Sequence, residues 1–173
     1  TIIVQIIKTS ASTALLHLQP AACPGRDMYK SIVQSCNTYY YNLANDLGID
    51  AIHDFMKPLG FGQLTGVDLE NERRGVLPSQ EWKRNNYKKP EQQKWYAGET
   101  ISLGIGQGYN AFTMLQLATA TATLANRGIQ YPPHLMRAIR ESRSSETRTI
   151  TQTTPRDLGL NKKNLETVIE VMV

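Results

Sequence analysis

No apolar run in this 173-residue chain reaches the ~18 to 20 positions that a membrane span needs. The apolar run at residues 1–7 is too short and lacks the basic flank of a signal segment, so it reads as a buried strand. Cysteine is scarce: Cys23 and Cys36 are the only two, too few for a disulfide framework, and they leave the redox compartment open. The three histidines, His17, His53 and His134, stand apart without metal-ligand spacing. His53 is expected to face water beside Asp54. No Ser-His-Asp or Cys-His set has supporting context. The glycine cluster Gly104-Ile105-Gly106-Gln107-Gly108 lacks the Gly-x-Gly-x-x-Gly spacing of a dinucleotide site, and no acidic residue follows where a ribose would need one. It reads as a tight turn in which backbone approaches backbone.

The residues that are present fit a soluble globular protein. The hydrophobic fraction is 40% and the charged fraction 20%, so the composition shows no sign of wholesale disorder. Net charge is +4, yet the basic residues cluster only at Lys83-Arg84, at Lys88-Lys89 and along residues 137–148, without regular aromatic interleaving. That pattern describes a solvated basic face rather than a nucleic-acid surface.

Along residues 28–47 apolar side chains recur at Ile32, Val33, Cys36, Tyr40, Leu43, Ala44 and Leu47, a helical period closed by Gly48. At least one of Tyr39, Tyr40 and Tyr41 must enter the core. Asp50 is the expected N-cap of a second helix, with Ile52, Phe55 and Met56 inward and Pro58 at its end. Residues 60–100 are polar and rich in glycine, with Trp82 and Trp95 as anchors, and read as a long segment draped over a scaffold. Thr113-Met114-Leu115-Gln116 is a capping box that opens a helix to Asn126, stopped by Gly128. Residues 161–173 read as a helix with Leu165, Val168, Ile169 and Met172 on one stripe, and the chain shows no internal repeat.

Within the first helical pattern lies Ser35-Cys36-Asn37. Side chains two residues apart on an α-helix point ~200° apart and cannot face one pocket. For Ser35 and Asn37 to act together the backbone must leave the helix there, with Asn37 or Thr38 capping the next helix. The plain alternative is a polar helix face.

The run from Ser31 to Gly48 is followed by Leu59-Gly60-Phe61-Gly62, Thr65-Gly66-Val67-Asp68-Leu69 and Gly75-Val76-Leu77-Pro78. Then come Trp82-Lys83, Trp95-Tyr96-Ala97-Gly98-Glu99-Thr100, Gly104-Ile105-Gly106-Gln107-Gly108-Tyr109 and Pro133-His134-Leu135. In this order the segments resemble the transpeptidase domain of the penicillin-binding protein 2 family, the class B peptidoglycan D,D-transpeptidases. Residues 1–26 form a poorly matching flank and residues 27–173 a partial transpeptidase domain. The resemblance implies the α/β penicillin-binding and β-lactamase-like fold, of which this chain holds mostly the helical part with few short strands.

It also implies chemistry. A nucleophilic serine in Ser-x-x-Lys attacks the D-Ala-D-Ala peptide, and an acceptor amine resolves the acyl-enzyme. Ser35, by matching position, relays the proton between the catalytic lysine and the leaving or attacking nitrogen. Asn37 hydrogen-bonds the substrate's amide backbone and holds the lysine. Ser-x-x-Lys and Lys-Thr/Ser-Gly, the first and third motifs of the family, occur nowhere in these residues, so the chain alone is expected to be inactive and not to bind β-lactams covalently.

Catalysis in the family requires no cofactor, but a structural zinc near the second motif is implied. Cys36 matches one of its ligands, and Cys23 stands where the family has a histidine; the aspartate ligands have no match. Implied partners are peptidoglycan stem peptides, β-lactams in the full enzyme, and the glycosyltransferase and scaffold proteins of the elongation complex, with no nucleic acid. The implied location is the periplasmic face of the bacterial inner membrane, with the anchor outside this chain. A serine β-lactamase or carboxypeptidase relative and a non-catalytic scaffold fragment are the alternatives.

Overall fold

The computed structural model describes residues 28–140, 146–150 and 154–172. The expected strand at residues 1–7, His17 and Cys23 lie outside them. Helix α1 (Met28–Val33) is followed by the long helix α2 (Asn37–Met56). Where one pattern covered residues 28–47, the chain makes two helices, because it stops and restarts at residues 34–36.

Within α2, Gly48 has φ 75 and ψ 165, a conformation that side chains with a Cβ rarely adopt, and it kinks the helix. The helix resumes immediately, so Asp50 lies inside it rather than at a cap. The Asp50 carboxylate instead accepts a hydrogen bond from Gln80 Nε2 at 2.8 Å. Tyr40, Leu43, Ala44, Ile52 and Met56 of α2 are buried at helical spacing. A 3-10 turn (Lys57–Leu59) carrying Pro58 ends it.

The polar stretch at residues 60–100 holds three short helices, α3 (Gln80–Asn86), α4 (Pro90–Gln93) and α5 (Ala97–Leu103). Ser79 caps α3 by accepting from Trp82 N. Helix α6 (Met114–Ala125) begins at the expected box: Thr113 Oγ1 accepts from Gln116 N, and Gln116 Oε1 accepts from Thr113 N. The same Gln116 is 1% exposed and donates to the carbonyls of Gln63 and Arg74, tying the long segment to α6.

Strand is scarce among the described residues. Strand β1 (Ile129–Gln130) pairs antiparallel with β4 (Arg156–Asp157), and β2 (Ala138–Arg140) with β3 (Thr147–Thr149). Helix α7 (Lys162–Met172) buries Leu165 and Val168, whereas Met172, expected on the same stripe, is exposed. The core joins Ala44, Ile52 and Met56 of α2 to Leu59, Phe61, Leu77, Ala120, Leu124, Leu165 and Val168. A second cluster, Tyr40 and Leu43 with Ile32, Leu47 and Ile105, lies under the α1–α2 junction.

Candidate functional site

Helix α1 ends in a left-handed stop. The Cys36 N–H donates to the Ser31 carbonyl at 2.9 Å and the Ser35 N–H to the Ile32 carbonyl at 3.1 Å. These two bonds satisfy carbonyls that a helix end otherwise leaves orphaned. The geometry requires a left-handed residue between them, and Ser35 supplies it with φ 48. Glycine is the usual occupant, because a Cβ in this conformation meets the following carbonyl. Ser35 thus occupies a strained position that glycine would fill more easily.

Cys36 then runs extended (φ −74, ψ 93) and Asn37 opens α2. The consequence is an alternation: Ser35 exposed, Cys36 buried, Asn37 exposed. Both polar side chains are exposed, with the buried Cys36 between them. One expectation is corrected. The N-cap position belongs to Cys36, which makes no side-chain cap bond, and neither Asn37 nor Thr38 caps the helix. Both Ser35 and Asn37 therefore keep their side chains out of cap bonds. A hydroxyl that donates and accepts stands two residues from an amide that does both.

The ground beneath this turn is tightly packed. Tyr40 and Ser31 are both 0% exposed. The turn at residues 104–108 presses on α2 from the other side: a β-carbon on Gly104 would stand 2.5 Å from Ala44 Cβ and 2.8 Å from Tyr40 O. Hydrogen bonds from Gly106 N to Leu103 O (2.9 Å) and from Gln107 N to Ser102 O (3.1 Å) close that turn.

Sequence reasoning missed the brace behind this turn. Lys83 is only 3% exposed; its ammonium bonds Glu99 and donates to Lys94 O at 2.7 Å. The rings of Trp95, Tyr96 and Tyr109 lie 5.2 to 5.7 Å from the ammonium, within cation–π range. Burial pushes the Glu99 carboxyl up, but hydrogen bonds from Lys83, Tyr96 N and Tyr109 outweigh it and hold the group below the usual carboxylate range. The Tyr109 phenol, bonded to Glu99 at 2.9 Å, is pushed well above its ordinary value. The available signal was compositional: Trp82, Tyr87, Trp95, Tyr96 and Tyr109 crowd a stretch with Lys83, Lys88, Lys89 and Lys94, without marking which lysine they enclose.

His53, expected in water, is half-buried with Nδ1 3.1 Å from the Pro78 carbonyl, because α2 packs on the segment before α3. Cys36 is 4% exposed and its sulfur is disulfide-bonded, a state in which it is not a thiolate ligand. Among the described residues no three of His, Cys, Asp and Glu gather in a metal-holding group. The described residues do not fit the zinc centre that the resemblance implies.

The chain is similar to known proteins at the level of family and fold. Residues 17–173 match the family model described as penicillin binding protein transpeptidase domain. The chain is 51% identical over 112 residues to the peptidoglycan D,D-transpeptidase MrdA of Acinetobacter baumannii, covering 65% of the chain and 16% of that relative. Among solved structures it is similar to Pseudomonas aeruginosa PBP2 in complex with WCK 5153, with TM-score 0.70, 38% identity, and coverage of 85% of this chain and 30% of that one. It is also similar to PBP2 in the complex with MreC from Helicobacter pylori, with TM-score 0.65, 27% identity and coverage of 85% and 24%. The chain thus spans about a sixth of the length of this MrdA relative.

Proposed function

From a chain that belongs to the penicillin-binding protein transpeptidase family and shares its fold, we infer that these residues are the second-motif half of a serine-type peptidoglycan D,D-transpeptidase. The reaction is acyl transfer. A serine of Ser-x-x-Lys attacks the D-Ala-D-Ala carbonyl, the C–N bond breaks and the terminal D-Ala leaves with a proton. An acceptor amine then displaces the serine and forms the cross-link. In this reading the Ser35 hydroxyl relays the proton between the lysine and the leaving or attacking nitrogen. Asn37 supplies an amide that pairs with the peptide backbone of the substrate and steadies the lysine.

The observation that carries the reading is the break at residues 34–36, which turns Ser35 and Asn37 outward on either side of a buried Cys36. Ser35 holds a left-handed backbone there, as Asn71 and Arg127 do elsewhere, and such strain is the kind that persists at functional positions when the surrounding structure fixes it.

The substrates on this reading are peptidoglycan stem peptides, with β-lactams as their acylating mimics. Association with a scaffold protein of the MreC kind and with a glycan polymerase belongs to the same reading, as does a place on the periplasmic face of the inner membrane. Among the described residues no helix is long and apolar enough to cross a membrane. The test is labelling with a fluorescent penicillin. The 173-residue chain carries neither Ser-x-x-Lys nor Lys-Thr/Ser-Gly and is expected to take no covalent label. An enzyme carrying this segment between those two motifs is expected to label and to release D-Ala. Label on the chain itself would overturn the assignment of the nucleophile to another segment.

A further inference from the structure

We propose that Tyr40, acting through Ser31, is a positioning residue for the Ser35–Asn37 turn, a role that rests on the function proposed for Ser35. Tyr40 lies in the first turn of α2, and Ser31 lies in α1, before the break. Their side-chain oxygens are 3.2 Å apart, and both residues are fully buried. The direction of this bond follows from counting hydrogens. Ser31 has one hydroxyl hydrogen and spends it on the Met28 carbonyl at 2.7 Å. The Tyr40 hydroxyl is therefore the donor and Ser31 Oγ the acceptor.

Ser31 is held twice. Its side chain receives Tyr40, and its main-chain carbonyl receives the Cys36 N–H at 2.9 Å, the bond that closes the left-handed stop. The pair thus forms a strap from one side of the break to the other, spanning the strained Ser35. The far end of the strap is fixed as well. Tyr40 packs edge-on against Tyr39 at 5.3 Å between ring centroids and lies in the cluster with Leu43, Ile32 and Ile105. A left-handed serine has a competing right-handed conformation that would carry its hydroxyl elsewhere. The strap favours the conformation in which Ser35 and Asn37 both face outward. Positioning of this kind acts on the chemical step, since misplacing a relay group by about an ångström slows reaction by up to about 10²-fold.

The experiment uses the complete enzyme that carries this segment with its Ser-x-x-Lys and Lys-Thr/Ser-Gly motifs. Acylation by a fluorescent penicillin is followed at several concentrations, which separates initial binding (Kd) from the acylation rate, and Tm is recorded. Tyr40→Phe removes the donor and keeps the ring, while Ser31 keeps its bond to Met28. The expected result is an acylation rate lower by about 10-fold, with Kd held and only the small fall in Tm that losing one buried hydrogen bond brings. Ser31→Ala is expected to give the same loss, and the double variant no more than either alone. An unchanged acylation rate overturns the proposal. So does a fall in rate accompanied by weaker binding and a large fall in Tm, which is the mark of a merely structural role, and so does failure of both variants to fold. Ser35→Ala in the same assay separates the two levels: if it slows acylation while Tyr40→Phe does not, the strap fails and the reading of Ser35 stands.

Discussion

Gly104 and Ala44 touch where side chains ordinarily keep them apart: a β-carbon on Gly104 would lie 2.5 Å from Ala44 Cβ. The contact brings the turn after α5 directly against α2, one helical turn beyond Tyr40. Neither Ala44 Cβ nor Tyr40 O belongs to a flexible side chain, so neither can swing aside. Gly104→Ala is expected to destabilise the fold by about 3 kcal/mol through overpacking. Denaturant midpoints measure it, and an unchanged midpoint would show that the two elements separate easily.

Ser35 offers a test in the opposite direction. Its φ of 48 is the conformation that glycine adopts without penalty. Ser35→Gly is expected to raise stability by about 0.5 to 1 kcal/mol, the relief of left-handed strain less the added freedom of the unfolded chain. In the complete enzyme the same change is expected to remove activity. Stability and function would move apart at one residue, as expected where strain is kept for a functional reason. Denaturation and penicillin acylation of the same preparation check both halves.

The Lys83–Glu99 brace should be costly to halve. Lys83→Met leaves Glu99 without its cation and is expected to cost about 3 kcal/mol in chemical denaturation. The pH dependence has a definite sign. The Glu99 carboxyl lies below the usual carboxylate range in the folded chain. Its contribution is therefore present above the unfolded value of about 4.3 and is lost as pH falls through the lower folded value. Glu99→Gln should flatten that acid limb in a pH series of denaturation midpoints.

Asp68 latches two segments that are distant in sequence. Its carboxylate oxygens accept from Leu135 N and Met136 N, each at 2.7 Å, and these bonds hold its pKa down. Asp68→Asn should destabilise at neutral pH, and its difference from the parent should disappear as pH falls through the folded value of Asp68. A difference that persists in acid would locate the effect in the side chain's shape rather than its charge.

The local features were legible because they rest on neighbours in sequence. The Thr113–Gln116 box, the interruption at Gly48 and the tyrosine that enters the core all follow from spacings within one or two helical turns. The break at residues 34–36 was legible only conditionally, as the geometry Ser35 and Asn37 would need in order to share a pocket. Asp50 misled because a capping residue after a glycine looks like a helix start, while here the helix had already resumed. The Lys83–Glu99 contact joins residues sixteen apart across three short helices, and no periodicity announces it. Ser31 was unmarked for the same reason, since its importance comes from Tyr40 and Cys36 reaching back to it.

Ser35 facing a reacting peptide is the central claim, and the acylation rate constant of the complete enzyme with Ser35→Ala tests it most directly. The side chain is exposed and makes no cap bond, so the substitution should leave Tm unchanged. The expected rate constant for fluorescent penicillin is lower by about 10² to 10³-fold, the loss typical of a group acting on the transition state. A rate constant equal to that of the parent enzyme would contradict the claim.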